Sequence, residues 1–108
     1  MPIVNPDALL QVNLPSDYNN LTTDEQMIIR GWIGTNLDPV STFNLDVTSY
    51  GLKHKFERSK EGFYVSNGQF KGAMLDVGGF KVKNTNDLNW QFNISKRSIT
   101  RLTLNHDS

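Results

Sequence analysis

Two segments of helical periodicity followed by one of strict alternation, all inside Thr48–Ile94, set the tightest limits on what this chain can fold into. Thr48 or Ser49 can cap a helix with Leu52 and Phe56 on one side and Lys53, Lys55 and Arg58 elsewhere. Ser59-Lys60-Glu61-Gly62 closes that helix, and Phe63-Tyr64-Val65 makes a short extended link. Ser66 caps a further helix over about Asn67–Val77, where Phe70, Ala73, Met74 and Val77 recur at i, i+3, i+4 and i+7. Apolar residues at that spacing form one buried stripe. Gly78-Gly79 signals its C-terminus. Next, Phe80 and Val82 alternate with Lys81 and Lys83, and Asn84-Thr85-Asn86-Asp87 is turn chemistry. Leu88, Trp90, Phe92 and Ile94 then alternate with Asn89, Gln91, Asn93 and Ser95. Alternation of this kind reads as a strand with one dry and one wet face, hence a hairpin.

Upstream, Leu21–Gln26 opens another helix. Thr22 with Glu25, or Thr23 with Gln26, fits the reciprocal N-terminal capping box. Ile29, Trp32, Ile33 and Leu37 follow near helical spacing, and Asp38-Pro39 ends the run. Phe43–Val47 alternates and allows a short strand. The expected fold class is α+β: a winged helix-turn-helix-like arrangement of three helices with a C-terminal β-hairpin. Residues 1–20 form an N-terminal arm, mostly irregular, with a helical turn after Pro6-Asp7 and with Leu9, Leu10 or Leu14 on the core. The winged-helix-like domain covers 21–104, its tail adding a short strand or helix, and 105–108 is a frayed end. The expected core joins Phe56, Phe70, Met74, Phe80, Trp90 and Phe92 with Trp32.

Formal charge is zero overall, yet it is sorted along the chain. Residues 1–47 hold one base and six acids, net −5; residues 48–83 hold seven bases and three acids, net +4; the rest is net +1. Such sorting points to a basic contact face in the middle of the chain. No cysteine is present, so disulfides and thiolate metal sites are excluded. Met1–Pro6 lacks the basic start and apolar run of a secretory signal, and no stretch approaches a membrane span. The expected location is the cytoplasm, the default reducing compartment for a chain without cysteine.

The candidate contact residues come from three elements. Lys53, Lys55 and Arg58 stand on the second helix. Asn67, Gln69 and Lys71 stand on the outward face of the third. Lys81 and Lys83 stand on the wing. Lysine and arginine neutralise phosphates, while amides can also reach base edges. Gly68 and Gly72 are poor helix formers on that same face. They mark either a close approach to the backbone or tolerance of a marginal helix. His54 and Glu57 stand at a metal-compatible i,i+3 spacing, but the only other histidine is His106, so no metal or other cofactor is expected. No cysteine nucleophile, glycine-rich phosphate loop or G-x-S-x-G elbow is present, and no paired carboxylates suggest acid–base work. The expected function is non-enzymatic.

The runs T-S-Y-G-L-K-H-K-F-E, G-F-Y-V-S-N-G-Q-F-K-G-A-M and N-W-Q-F-N-I resemble a small group of proteins from phages and mobile elements of Gram-positive bacteria. The order helix, link, helix, Trp-bearing hairpin also resembles the winged-helix domain at the C-terminal end of phage and plasmid primase-helicases. The second resemblance implies nucleic acid as partner, DNA ahead of RNA, bound by the third helix with support from the wing. An alternative class is an inhibitor of a host defence nuclease, of the anti-CRISPR type. There the acidic third (Asp17, Asp24, Glu25, Asp38, Asp46) would meet a basic channel on a CRISPR effector.

Overall fold

The computed structural model describes residues 10–106, with side chains for 10–104. Of the helical turn expected after Pro6-Asp7, Leu10 and Gln11 are described and are helical, whereas Leu9 and the side chain of His106 fall outside the described residues. A 3-10 segment, Pro15–Asn20, precedes four α-helices: α1 Thr23–Asn36, α2 Ser49–Arg58, α3 Asn67–Val77 and α4 Lys96–His106. Each of the first three starts on a side-chain cap. Thr22 and Glu25 complete the capping box of α1, with reciprocal bonds of 3.1 and 2.8 Å. Thr48 caps α2. Ser66 and Gln69 form the second capping box, at 3.0 and 2.9 Å. For α4 the role passes to Ser95, whose hydroxyl accepts from the Ser98 N–H at 2.9 Å. A cap satisfies amide groups that the helix itself leaves orphaned.

The core is continuous. Ile29, Trp32 and Ile33 of α1 meet Leu52 and Phe56 of α2, Phe70, Ala73 and Met74 of α3, and Trp90, Phe92 and Ile94. Trp32 packs edge-on against both Phe56 and Phe70, with centroids 5.5 and 6.3 Å apart. The expected aromatic core is therefore present, with Phe80 only partly buried at its margin.

The winged-helix expectation is overturned. Among the described residues there is no strand and no sheet, so no C-terminal β-hairpin exists and the fold is all-helical. Residues 80–83 and 90–94 share one isolated bridge, Val82 to Phe92; a second joins Pro39 to Ile94. The alternating residues do bury Trp90, Phe92 and Ile94, but other groups take their backbone bonds. Ser49 exchanges bonds with Trp90: its N–H donates to the Trp90 carbonyl, and its Oγ accepts from the Trp90 N–H. Asn44 and Val40 donate to the carbonyls of Phe92 and Asn93. The Asn93 side chain accepts the Lys81 N–H at 2.6 Å, where a ladder would have used a carbonyl. Asparagine side chains compete with the backbone in this way. Phe43–Val47 is likewise irregular, not a strand. Beyond Ser95 the chain takes the helical of the two expected options, as α4.

The arm also differs from expectation. Leu10 and Leu14 are exposed, and Tyr18 and Leu21 enter the core in their place. The 3-10 segment lies along α3. It occupies the face expected to be free: Asn67, Gly68, Lys71 and Gly72 are all buried. A Cβ at Gly68 would overlap the Leu14 backbone, and one at Gly72 would overlap Tyr18 and the Pro15 carbonyl. Of the two readings of these glycines, close approach is the correct one, and the approaching backbone is the chain's own.

Candidate functional site

The expected contact residues do not form one surface. Lys71 is buried, donating to the Asn13 carbonyl at 2.8 Å and lying 4.9 Å from the Trp90 ring centre. Burial pushes its ammonium below the ordinary lysine value. Asn67 is a buried hub: its Oδ1 accepts from Ser49, and its Nδ2 donates to Asn13, the Leu88 carbonyl and Asn89. Gln69 is engaged in its capping box. Lys55 reaches across to Thr103 of α4 at 3.4 Å. Arg58, Lys81 and Lys83 remain exposed. A recognition helix needs a free polar face, and α3 has none because that face holds the arm.

Two expected residues, Lys53 and Asn67, do come together. They line a cleft of about 350 Å³ with Val12, Asn13, Tyr50, Tyr64, Ser66, Leu88 and Asn89. Ligand sites of this size typically pair aromatic walls with a few placed polar groups. Here the walls are Tyr50 from α2, 50% exposed, and Tyr64 from the link, 71% exposed. Tyr64 points outward because its neighbour Val65 is buried in the core and alternation in an extended link sends the next ring the other way. Beside both rings sits Lys53, only 7% exposed. Its Nζ lies 5.4 Å from the Tyr50 centroid and 5.1 Å from that of Tyr64.

Glu57 positions the ammonium. It accepts from Lys53 Nζ at 3.0 Å through Oε2, which also accepts the Val65 N–H at 3.1 Å. Its Oε1 lies 3.0 Å from His54 Nδ1. Burial would raise the Glu57 carboxyl, but the bonds from Lys53 and Val65, with the charges of Lys53 and His54, hold it below the ordinary carboxylate value. Through the Val65 N–H, Glu57 thus fastens α2 to the link, with His54 of the same helix on its other oxygen. Among the described residues, no group of three His, Asp or Glu side chains could hold a metal ion. No helix among them is long and apolar enough to cross a membrane.

Tyr50, His54 and Arg58 fall at i, i+4 and i+8, one face of α2 leading away from the cleft. The Tyr50 and His54 rings meet edge to face, centroids 4.5 Å apart. The sequence reading passed over Tyr50, Tyr64, Leu88 and Asn89. The signals available were the spacing of Tyr50 to His54 and Arg58, and the outward turn of Tyr64 beside an apolar residue. Comparisons with protein-family models, with curated proteins and with solved structures find no match.

Proposed function

We propose that this protein binds nucleic acid without catalysing a reaction, and that it takes unpaired bases between Tyr50 and Tyr64. One observation carries the reading: two exposed tyrosines flank a nearly buried ammonium in an amide-lined cleft. Aromatic platforms beside cations suit single strands, because every base offers a π-face for stacking. The Tyr50–His54–Arg58 face offers a path for the adjoining phosphates. Duplex reading by α3 has no support, since the arm covers the helix.

The inhibitor reading draws less support from the fold. Asp17 is buried and bonded to Ser66 and Asn20. Glu25 is held in its capping box, Asp38 pairs with Arg101 at 3.2 Å, and Asp46 faces Lys96 at 3.9 Å. Of these acids Asp17 and Glu25 are thus committed within the chain, while Asp24, Asp38 and Asp46 stay at the surface.

The test is fluorescence anisotropy with a labelled single-stranded oligonucleotide and its duplex. Single strand should bind more tightly. Tyr50→Ala and Tyr64→Ala should each weaken binding by about 1–3 kcal/mol. The log–log salt slope should be about −0.7 per phosphate neutralised. Tighter binding of duplex, or tyrosine variants that bind as well as the parent, would remove the reading.

A further inference from the structure

We infer that the cleft reads the far edge of an entering base, favouring bases with a carbonyl there (thymine, uracil, guanine) over bases with an amine (adenine, cytosine). This rests on the reading that unpaired bases enter between Tyr50 and Tyr64.

A base that slides between the two rings keeps its sugar outside, so the edge farthest from the sugar goes deepest. That edge carries O4 in thymine and uracil and O6 in guanine; it carries an amine in cytosine and adenine. The charged group lining the cleft is Lys53, nearly buried beside two exposed tyrosines. An ammonium has three N–H donors and no acceptor. One donor goes to Glu57. The other two donors have the Tyr50 and Tyr64 rings as neighbours, the centroids lying 5.4 and 5.1 Å from Nζ. A carbonyl oxygen can accept from them. An amine would set donor against donor in a partly dry site, where an unmade bond to a charged group is costly.

The other polar group at depth does not reverse this preference. The Asn67 amide is held by four partners: Ser49, Asn13, Leu88 and Asn89. It cannot turn to offer its oxygen to an incoming amine without breaking the Ser49 bond. Glu57 could accept from an amine, but its two oxygens already serve Lys53, Val65 and His54. The lining oxygens of Asn13, Leu88 and Asn89 each already accept a bond from Asn67 or Lys71, so the charged group of the cleft, which can only donate, sets the preference.

The probe pair is an oligothymidylate and an oligo(5-methyldeoxycytidylate) of equal length. Their rings differ only in the exchange of O4 for an amine and the loss of the N3 proton, so methyl group, ring size and backbone are matched. Anisotropy with the full chain should show about tenfold tighter binding of the oligothymidylate, the discrimination of one well-placed hydrogen-bonded edge. Lys53→Met, checked for folding by circular dichroism, should bring the two affinities close together. Should that variant not fold, the parent's ratio between the two probes still decides. Equal affinities, a preference for the amine probe, or a thymine preference unchanged in folded Lys53→Met would overturn the inference. If those affinities are still lost on replacing both tyrosines by alanine, base binding in the cleft survives without the edge preference. Binding of neither probe would overturn both.

Discussion

Gly72 and Gly31 are both helical glycines, yet a methyl group would have opposite consequences at the two positions. A Cβ on Gly72 would overlap Tyr18 and the Pro15 carbonyl, whereas one on Gly31 meets nothing within 4 Å. Gly72→Ala should therefore lower stability by about 1–3 kcal/mol, the usual cost of overpacking. Gly31→Ala should raise it by up to about 1 kcal/mol, from helix propensity alone. Urea denaturation of the two variants measures both, and a neutral Gly72→Ala would mean that the arm does not press on α3. Tyr18 offers a second handle on the same contact. Its hydroxyl donates to Asp76 at 2.7 Å. Burial, followed by the bond and charge of Asp76, pushes its phenol up from 10.0 to about 12, against the opposing charge of Arg30. The folded value lies above the unfolded one, so the folded state holds the proton longer. The stabilisation is fully present below pH 10 and is lost as pH rises toward 12. A phenolate absorbance titration should show one tyrosine ionising near the top of that range, and Asp76→Asn should bring it down.

Among the elements, α2 depends most on one side chain. Glu57 ties the helix to Lys53, His54 and the Val65 N–H, and so fixes both the cleft floor and the link that carries Tyr64. Its carboxyl is held below the ordinary value of 4.5, so its stabilisation is present above that pH and is lost as pH falls through the folded value. Glu57→Gln should flatten the acid limb of the stability profile, measured by thermal melts across acidic pH. An unchanged acid limb would mean the carboxylate does not carry these bonds. Three helices were legible in the sequence because caps and stripes are local: Thr22 with Glu25, Thr48, and Ser66 with Gln69 mark their starts. The hairpin was not legible, because alternation reports which side chains are buried and not which groups receive the backbone bonds. Trp90, Phe92 and Ile94 went inside, although Leu88 of the same alternation stayed exposed and Asn93 of the expected wet face was buried, while Ser49, Asn44 and Asn93 supplied the partners. The polar, glycine-bearing face of α3 misled for a related reason. Asn, Lys and Gly suit an exposed contact face, and they equally suit a face that receives backbone from the same chain. Lys53 and Asn67 were recognisable as candidates by residue type. For Tyr50 and Tyr64 the sequence offered only weak signals, the spacing to His54 and Arg58 and the apolar neighbour Val65, and the fold showed that both rings stay outside.

At the scale of the whole molecule, α3 is the central element. Its apolar stripe meets α1 and α2, and its polar face carries the arm through Lys71 to Asn13, Ser66 to Asp17, and the Gly68 N–H to the Val12 carbonyl. The cleft exists because these pieces converge: the arm supplies Val12 and Asn13, α2 supplies Tyr50 and Lys53, and the link and the 88–89 segment close the sides. Surface charge is spread over several elements, with Arg58, Lys81, Lys83 and Arg97 exposed on three different segments. A diffuse basic surface can attract a nucleic acid, and the proposed seat is the cleft. Two-dimensional amide NMR of the labelled protein, titrated with a short oligothymidylate, tests that claim most directly. The account predicts shifts concentrated at Tyr50, Tyr64, Leu88 and Asn89, with the side-chain amide of Asn89 among them. Shifts centred on Lys81–Lys83 or on α4 while the cleft stays unmoved, or no shifts at all, would contradict it.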